Sequence, residues 1–486
     1  MALPVVSSLL AGCAVGPDYV SPAVELPKHW SNDNHKGKRQ ERASASLAEW
    51  WRRLDDPLLN ELIDEAAQDN LDVAAAKARI REARALLRQS SGTLFPQISG
   101  SGSATANRTT AGAVSNGLGG TTYNQFQAGF DATWELDLFG ANHRAAEAAA
   151  YSVDASEDDL RATLLTLIGD VASYYIEARG YRARAALARR TAASQRATAA
   201  MTLGKVNAGS ASAVDAAKAT AQAASTEANV PTYEASYKEA VHRISVLLGR
   251  DPQALASRLA RATPIPAPRM PLPKGVPADV LKMRPDVRKA ERQLAQYTAE
   301  IGRAEAALYP DLSLSGSIST TALKLGDLGK SSTIGWSVGP TLSVPIFNGG
   351  KLRAAVDVAK AQRDEHYIAW RGAVLTALED VENAIVSLTQ ERIRIHSLAE
   401  SAERYGEALR LSRSLYESGS SGFLDVLDAE RSQFSAEDAL LQSRVNVARD
   451  YVALAKALGG GWDSAIDSSK PEVVDAKVGP HLATAE

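Results

Sequence analysis

The 486-residue sequence contains a single cysteine, Cys13, and aromatic residues make up only 6% of the chain. One cysteine excludes a disulfide within the chain and a cysteine-based zinc site. The net charge of −3 at pH 7 excludes the strongly basic surface typical of nucleic-acid-binding proteins. No apolar run reaches the roughly 18 residues of a membrane-spanning helix. If this chain crosses a membrane, we therefore expect it to do so with strands.

Catalytic motifs are also lacking. The tripeptide Gly329-Lys330-Ser331 is similar to the end of a phosphate-binding loop, but Lys324 occupies the position of that motif's first glycine. The seven histidines form no HExxH pair. We predict that the chain is not an enzyme and has neither a cofactor nor an intrinsic metal.

The surroundings of Cys13 indicate a targeting signal. A short apolar run ends in Leu10-Ala11-Gly12-Cys13, which is typical of a bacterial lipobox, although residues 1–12 carry no Lys or Arg. This pattern predicts a signal peptide over residues 1–12 and acylation of Cys13, followed by an extended leader over residues 13–56. The alternative is a buried free cysteine near the terminus. Ala14 follows the cysteine, and the absence of Asp there favours sorting to the outer membrane.

The hydrophobic period changes twice within the first half of the chain. A helical pattern begins at Pro57, alternation of apolar and polar residues marks a strand hairpin over residues 94–139, and the helical period then resumes. We predict a long helix over residues 141–203, about 95 Å at about 1.5 Å per residue. A return helix is predicted over residues 212–248, with a break at Pro231.

The same order recurs in the second half. Pro310 follows Pro96 by 214 residues, and Gly419 follows Gly209 by 210. This spacing predicts an internal duplication. The predicted parts are a first repeat (57–262), a Pro-rich linker (263–277), a second repeat (278–462) with hairpin 309–348, long helix 351–417 and return helix 423–458, and a flexible tail (463–486).

Two hairpins per chain predict an oligomeric pore. Four strands of about 10–14 residues are long enough to cross an outer membrane at a tilt. Four strands cannot close a barrel, and open sheet edges do not occur in lipid. Three copies would supply twelve strands, and the long helices would continue from them as a second cylinder.

Several stretches carry a family resemblance over about residues 10–462: "LAGCAVGPDYVSP", "WELDLFG", "VPIFNGGKLR" and "YESGSSGFLDVLDAE". With these motifs the chain resembles the TolC-type outer-membrane efflux channels, in the lipoprotein branch called NodT. The resemblance implies a mainly α-helical homotrimer with a transmembrane 12-strand β-barrel, a 12-helix α-barrel and an equatorial α/β domain. It also implies a lipid-anchored outer-membrane channel with a periplasmic tunnel, which receives small toxic compounds from an inner-membrane RND-type pump through a periplasmic adaptor protein.

By the same resemblance, residues near the two helix-hairpin turns form an iris-like periplasmic gate. Asp425 and Asp428 correspond to paired lumen carboxylates, whose rings in a trimer would favour cations and could bind one. The alternative is that both only stabilise the start of the returning helix. Tyr416 corresponds to a gate tyrosine and Asp215 to its hydrogen-bond partner, and the alternative for Tyr416 is an ordinary aromatic residue at a helix end.

This sequence departs from the family gate at two positions. Ser421 replaces the gate arginine and Val214 its threonine acceptor, so we expect Arg413 or Arg410 to substitute. Glycines occur in both turns, at Gly209, Gly419 and Gly422, where they would permit positive φ and leave a groove for adaptor helices. Simple helix C-caps explain the same glycines.

Two rival functions remain at this stage. One is an outer-membrane duct of a type I protein secretion system with the same fold, against which the lipobox and the "GPDY" leader favour efflux. The other is a soluble coiled-coil scaffold, which would not need two strand pairs, each with one polar and one apolar face.

The lipobox yields the first testable prediction. Cys13→Ser should abolish incorporation of radiolabelled fatty acid but leave trimer folding largely intact, because strand pairing closes the barrel. Equal incorporation of label into the variant and the parent protein would contradict the assignment.

Overall fold

A computed structural model describes residues 14–23, 49–108, 122–261, 263–268, 281, 283–461, 473–475 and 479–481. Cys13 lies outside this part of the chain. The chain divides into two compact units. The first comprises Met1–Ala23, Arg79–Glu157 and Lys289–Arg371, and the second comprises Val24–Ala78, Asp158–Arg288 and Gly372–Glu486.

Nine α-helices and six strands occur in the described part. The helices are α1 (Pro57–Asp69), α2 (Leu71–Gly92), α3 (Ala141–Asn207), α4 (Ala213–Glu227), α5 (Asn229–Leu247), α6 (Ala256–Leu259), α7 (Pro285–Ala306), α8 (Lys351–Glu417) and α9 (Phe423–Ala457). The strands are β1 (Gln97–Arg108), β2 (Thr122–Glu135), β3 (Asp311–Ala322), β4 (Ile334–Ser343), β5 (Val473–Asp475) and β6 (Gly479–His481). One order therefore occurs twice: helix, strand hairpin, long helix, return helix.

Helices α3 and α8 have 67 residues each, about 100 Å at about 1.5 Å per residue. Helix α3 continues four residues beyond its predicted end, because Gly204 keeps helical geometry and the helix ends only before Gly209. The first return segment is interrupted at Ala228 rather than at Pro231. Proline is tolerated in the first turn of a helix, where its missing N–H has no partner, so the break precedes it.

The first unit contains a four-stranded antiparallel sheet in the order β1-β2-β3-β4. Strand β2 pairs with the whole of β1 through its residues Thr122 to Thr133, and with β3 from Phe126 to Glu135. One residue beyond the last pair of β2 with β1, the indole Nε1 of Trp134 donates a hydrogen bond to the carbonyl oxygen of Leu94, 3.0 Å away. The hairpins of the two halves thus form one continuous sheet.

The second unit is packed through small residues. A Cβ placed on Gly180 of α3 would lie 2.3 Å from Cγ2 of Val445 on α9, so the two helices cross there without room for a methyl group. Ala172 and Ala188 of α3, and Ala448 and Ala455 of α9, are fully buried. Small side chains let helices approach closely, which accounts for the high alanine content of the sequence.

The buried Arg284 joins three elements of the second unit. Its guanidinium donates to both carboxylate oxygens of Asp286 (3.0 and 2.7 Å), to Asp380 of α8 (3.0 Å) and to the carbonyl oxygen of Ala457 in α9 (2.9 Å). Burial raises the pKa of the Asp286 carboxyl, but the hydrogen bonds and charge of Arg284 outweigh it and lower the pKa below its usual value. Among the described residues, no helix has the length and apolar character needed to cross a bilayer.

Candidate functional site

The sheet of the first unit has one apolar and one polar face. Gly100, Phe130, Ile318 and Trp336 stand side by side across β1, β2, β3 and β4. The three large side chains of this row are 63%, 50% and 74% exposed, respectively. Such an extended apolar surface marks contact with lipid or another protein rather than with water.

The opposite face of the same strands is polar. Ser99, Asp131, Ser317 and Ser337 form one of its rows, and the hydroxyl groups of Ser317 and Ser337 lie 2.9 Å apart. The alternation seen in the sequence therefore corresponds to two chemically distinct faces.

The sheet has two open edges. Strands β1 and β4 each have a hydrogen-bonded neighbour on one side only among the described residues. Every pairing is antiparallel and the number of strands is even, so β1 and β4 run in opposite directions. The edge of β4 can therefore pair antiparallel with the β1 edge of another copy, in a repeating and closable arrangement.

The turns after α3 and α8 have the same geometry. Gly209 and Gly419 have φ of 73° and 77°. In each turn the glycine N–H bonds to the carbonyl three residues before it, and the next residue's N–H bonds to the carbonyl five residues before. This is the Schellman helix ending, which explains both glycines. Gly422 differs from the prediction because its φ is −80° and it forms the N-cap of α9.

The two predicted lumen carboxylates lie at the start of α9. Asp425 is in its first turn and Asp428 is one turn further, and both side chains are exposed. No described residue donates a hydrogen bond to either carboxylate. Asp215 is half-buried in the first turn of α4, where Ser212 is the N-cap. Within the described part of the chain, no three His, Cys, Asp or Glu side chains form a metal-binding group.

Tyr416 is buried, but its partner is not the predicted one. Its hydroxyl donates to Oγ1 of Thr202, 3.1 Å away, and no hydrogen bond joins it to Asp215 among the described residues. The ring packs against Phe423 at a centroid distance of 6.0 Å, and the Lys205 ammonium lies 4.3 Å from the ring centroid. Lys205 also donates to the Tyr416 carbonyl oxygen. These contacts direct the hydroxyl towards α3.

Arg413 forms a partly buried polar cluster with Glu430, Thr198 and Ser194. Its guanidinium donates to Glu430 Oε1 (2.9 Å), Ser194 Oγ (2.8 Å) and Thr198 Oγ1 (3.3 Å). Thr198 in turn donates to Glu430 Oε1 at 2.7 Å. The cluster joins α3, α8 and α9 about one turn further than Tyr416 from the turns after α3 and α8, which are called the tips below.

Glu430 was not identified by the sequence analysis, although it is only 3% exposed. The available signal was its position, because Val426, Leu427 and Glu430 share one helical face with Phe423. A carboxylate on the buried stripe of a helix indicates a charged partner across the helix interface.

A further ion pair joins α3 and α9 farther from the tips. The Arg184 guanidinium donates to both carboxylate oxygens of Asp438 (2.7 and 2.8 Å), and Tyr233 of α5 joins the pair. Burial and then the charge of Asp438 raise the pKa of the Tyr233 phenol, so it remains a neutral donor. Bidentate pairs of this kind hold a definite geometry.

Comparison with known proteins identifies the family. The model of the family described as "Outer membrane efflux protein" matches residues 62–250 and 276–460. The chain belongs to the outer membrane efflux protein family. The two matched stretches begin 214 residues apart and end 210 residues apart. The same distances separate Pro96 from Pro310 and Gly209 from Gly419. Because the members are channels, the prediction that the chain is not an enzyme is confirmed.

Individual relatives cover almost the whole chain. Nodulation protein T of Rhizobium leguminosarum bv. trifolii is 36% identical over 95% of this chain and 97% of that protein. The solvent efflux pump outer membrane protein SrpC of Pseudomonas putida is 32% identical over 93% and 96%. The solved structure of the outer-membrane channel OprN has a TM-score of 0.85 and 35% identity, and the match covers 93% of this chain and all of that one.

The Arg413 cluster yields a stability prediction. Glu430→Met should lower the free energy of unfolding by about 2 kcal/mol, because Arg413 and Thr198 lose their shared acceptor. We expect less than the about 3–5 kcal/mol of a fully buried pair, since the Arg413 side chain is 31% exposed. Thermal unfolding followed by circular dichroism measures the change.

The control is Glu417→Met, which removes an exposed carboxylate from the end of α8 and should change little. The double variant Arg413→Met/Glu430→Met should recover part of the loss. If the single losses simply add in the double variant, the cluster contributes no coupling and the interpretation is wrong.

Proposed function

We propose that three copies of this chain form the outer-membrane channel of a tripartite RND-type efflux pump. The observation that carries the proposal is the four-stranded sheet, which has one apolar face and two open edges. In hydrocarbon every backbone N–H and C=O group needs a partner, so an isolated sheet cannot cross a bilayer. Joining β4 of one copy to β1 of the next satisfies both edges, and three copies give a closed barrel of twelve strands.

The helices supply the second part of the proposed conduit. Each copy contributes α3 and α8, together with the return segments α4–α5 and α9, so three copies provide twelve helical columns. The length of α3 and α8 supports a tunnel through the periplasm. The channel is a passive duct, because the chain belongs to a family of efflux channels and not of enzymes.

The names of the relatives support small toxic compounds as cargo. They include a toluene efflux pump protein and an antibiotic efflux pump protein of Pseudomonas putida. We propose an inner-membrane RND pump and a periplasmic adaptor as partners, with the adaptor contacting the tips at Gly209, Gly419 and Gly422. The alternative of type I protein secretion receives no support from these relatives.

The tips form the proposed iris-like gate. Tyr416 and Arg413 hold α8 against α3 within one copy, and Asp215 remains the candidate for contacts with a neighbouring copy. Asp425 and Asp428 are exposed and unpaired within the described chain, which supports a place for them on the lumen. Acylation of Cys13 would add a lipid anchor to the outer-membrane location.

The function is tested on the full chain purified from outer membranes in mild detergent. Light scattering should give about three times the chain mass of 51.5 kDa, and a deletion strain should become more susceptible to organic solvents and antibiotics. Trp336→Arg, on the apolar face, should prevent membrane assembly, because a cation facing the bilayer midplane costs about 2–4 kcal/mol. Ser337→Arg, one residue along on the polar face, is the control and should assemble.

A monomer that remains well behaved in detergent would contradict the trimer. Equal assembly of Trp336→Arg and Ser337→Arg would contradict a lipid-facing apolar surface. Unchanged susceptibility with loss of a secreted protein would favour the secretion alternative.

The proposed lumen carboxylates yield a separate prediction. Asp425→Ala with Asp428→Ala should weaken cation selectivity, because two rings of three negative charges are removed from the narrowest part of the duct. The reversal potential under a salt gradient across a planar bilayer measures the effect. An unchanged reversal potential would exclude these residues from the constriction.

A further inference from the structure

A short part of the leader, residues 14–21, lies against the first unit and is called the docked leader below. Its first contact is at the exit of β2, where the Val15 N–H donates to the carbonyl oxygen of Phe139 at 3.1 Å. Arg144 of α3 donates to the carbonyl oxygens of Val15 and Gly16, both at 3.3 Å, and to the Asp18 carboxylate at 2.8 Å. Arg144 itself is 5% exposed.

Three glycines make this close approach possible. Gly16 has φ of +90°, and a Cβ there would lie 2.3 Å from Cα of Gly302 on α7. A Cβ on Gly302 would lie 2.8 Å from both the Val15 carbonyl oxygen and Nε of Arg144, and one on Gly140 would lie 2.7 Å from Cβ of Ala14. The backbone of the docked leader therefore occupies a groove that excludes side chains on both sides.

The far end of the docked leader is held by Glu291 of α7. One oxygen of this carboxylate accepts hydrogen bonds from the Tyr19 hydroxyl (3.0 Å) and the Ser21 hydroxyl (2.7 Å). The Tyr19 ring also meets that of Tyr151 edge to face, with centroids 5.9 Å apart. Burial and then the charge of Glu291 raise the pKa of the Tyr19 phenol, so it remains a donor throughout the physiological pH range.

We propose that Gly140, Arg144, Glu291 and Gly302 form a peptide-binding site whose ligand is this chain's own leader. It recognises an extended backbone with glycine at one position, a carboxylate two residues later and a tyrosine immediately after. This assigns a role to "VGPDYVS", which the proposed channel function leaves unexplained. The site combines residues from both halves of the chain, so the docked leader joins α3 of the first repeat to α7 of the second.

The docking also determines where a lipid anchor would be attached, a consequence that rests on the proposed lipoprotein channel. Cys13 precedes Val15 by two residues, a spacer of at most about 7 Å. Since Val15 is bonded to the exit of β2, an acyl group on Cys13 is tethered at the end of the sheet that leads into α3. Docking thus keeps the anchor close to the end of the proposed membrane strands.

The test measures the mobility of the docked leader in the full-length membrane-extracted protein. Val20 is 80% exposed and lies between the two contact points Tyr19 and Ser21, so a nitroxide on Val20→Cys reports mobility without disturbing the site. Acylated Cys13 has no free thiol, and mass spectrometry should find one label per chain. The electron paramagnetic resonance spectrum of this parent should be that of an immobilised spin.

Two variants should release the docked leader. Gly302→Ala places a methyl group against Val15 and Arg144, while Asp18→Ala removes a side chain that is 88% exposed and therefore unimportant for the core. Each should raise the ratio of mobile to immobile spins about tenfold, as expected for loss of a charge-assisted hydrogen bond or its geometry. Gly372→Ala in α8 is the matched control, because a Cβ there meets nothing within 4 Å.

A mobile spin in the parent, or an immobile one in both Gly302→Ala and Asp18→Ala, would overturn the proposal. Release of the docked leader in the Gly372→Ala control would mean that any glycine substitution in a helix causes the effect, and it would overturn the proposal as well. The result is independent of channel activity: an immobilised leader in a protein whose deletion leaves susceptibility unchanged would leave the peptide site standing and contradict the proposed function. Two labels per chain would contradict acylation of Cys13 alone.

Discussion

The structure depends on the unpaired backbone groups at the two edges of a four-stranded sheet. The backbone groups on the outer edges of β1 and β4 have no neighbouring strand within the described chain, while one face of the sheet between them is apolar. Water can hydrogen-bond to both the edges and the polar face, but exposure of the apolar face to water is unfavourable. A lipid environment reverses the problem, since the face is then satisfied and the edges are not. Pairing of the edges between copies gives the backbone groups their partners while the apolar face remains in lipid. The proposed function therefore follows from the sheet more directly than from any single residue.

Close approach of the backbone at glycine residues occurs in both units. Gly180 lets α3 and α9 touch in the second unit, and Gly16 with Gly302 lets the docked leader touch α7 in the first. Polar pairs then act over short distances, as at Arg413 with Glu430 and Arg184 with Asp438. Small residues bring the backbones together, and these partly buried ion pairs fix which residues of neighbouring helices lie opposite each other.

Periodicity predicted the strands and the long helices because those signals are local. Alternation over ten or more residues identifies a two-faced strand whatever lies opposite it. The turn glycines Gly209 and Gly419 were predicted for the same reason, since positive φ is a property of one residue. Gly422 was assigned the same role, but its φ is −80°. A glycine beside a turn also serves as an N-cap, and composition does not distinguish the two conformations.

Partner choice is not local, and there the sequence was insufficient. Tyr416 was expected to bond to Asp215, yet Thr202 is its acceptor. The difference arises because Lys205 of α3 and Phe423 of α9 contact the ring of Tyr416. The spacing of residues along α8 does not indicate any of these contacts. Glu430 and Glu291 illustrate the same limit, since each binds residues more than 200 positions away. Long-range polar contacts become predictable only once the fold brings the two segments together, and this is why the contacts of the tips and of the docked leader emerge from the structure rather than from the pattern.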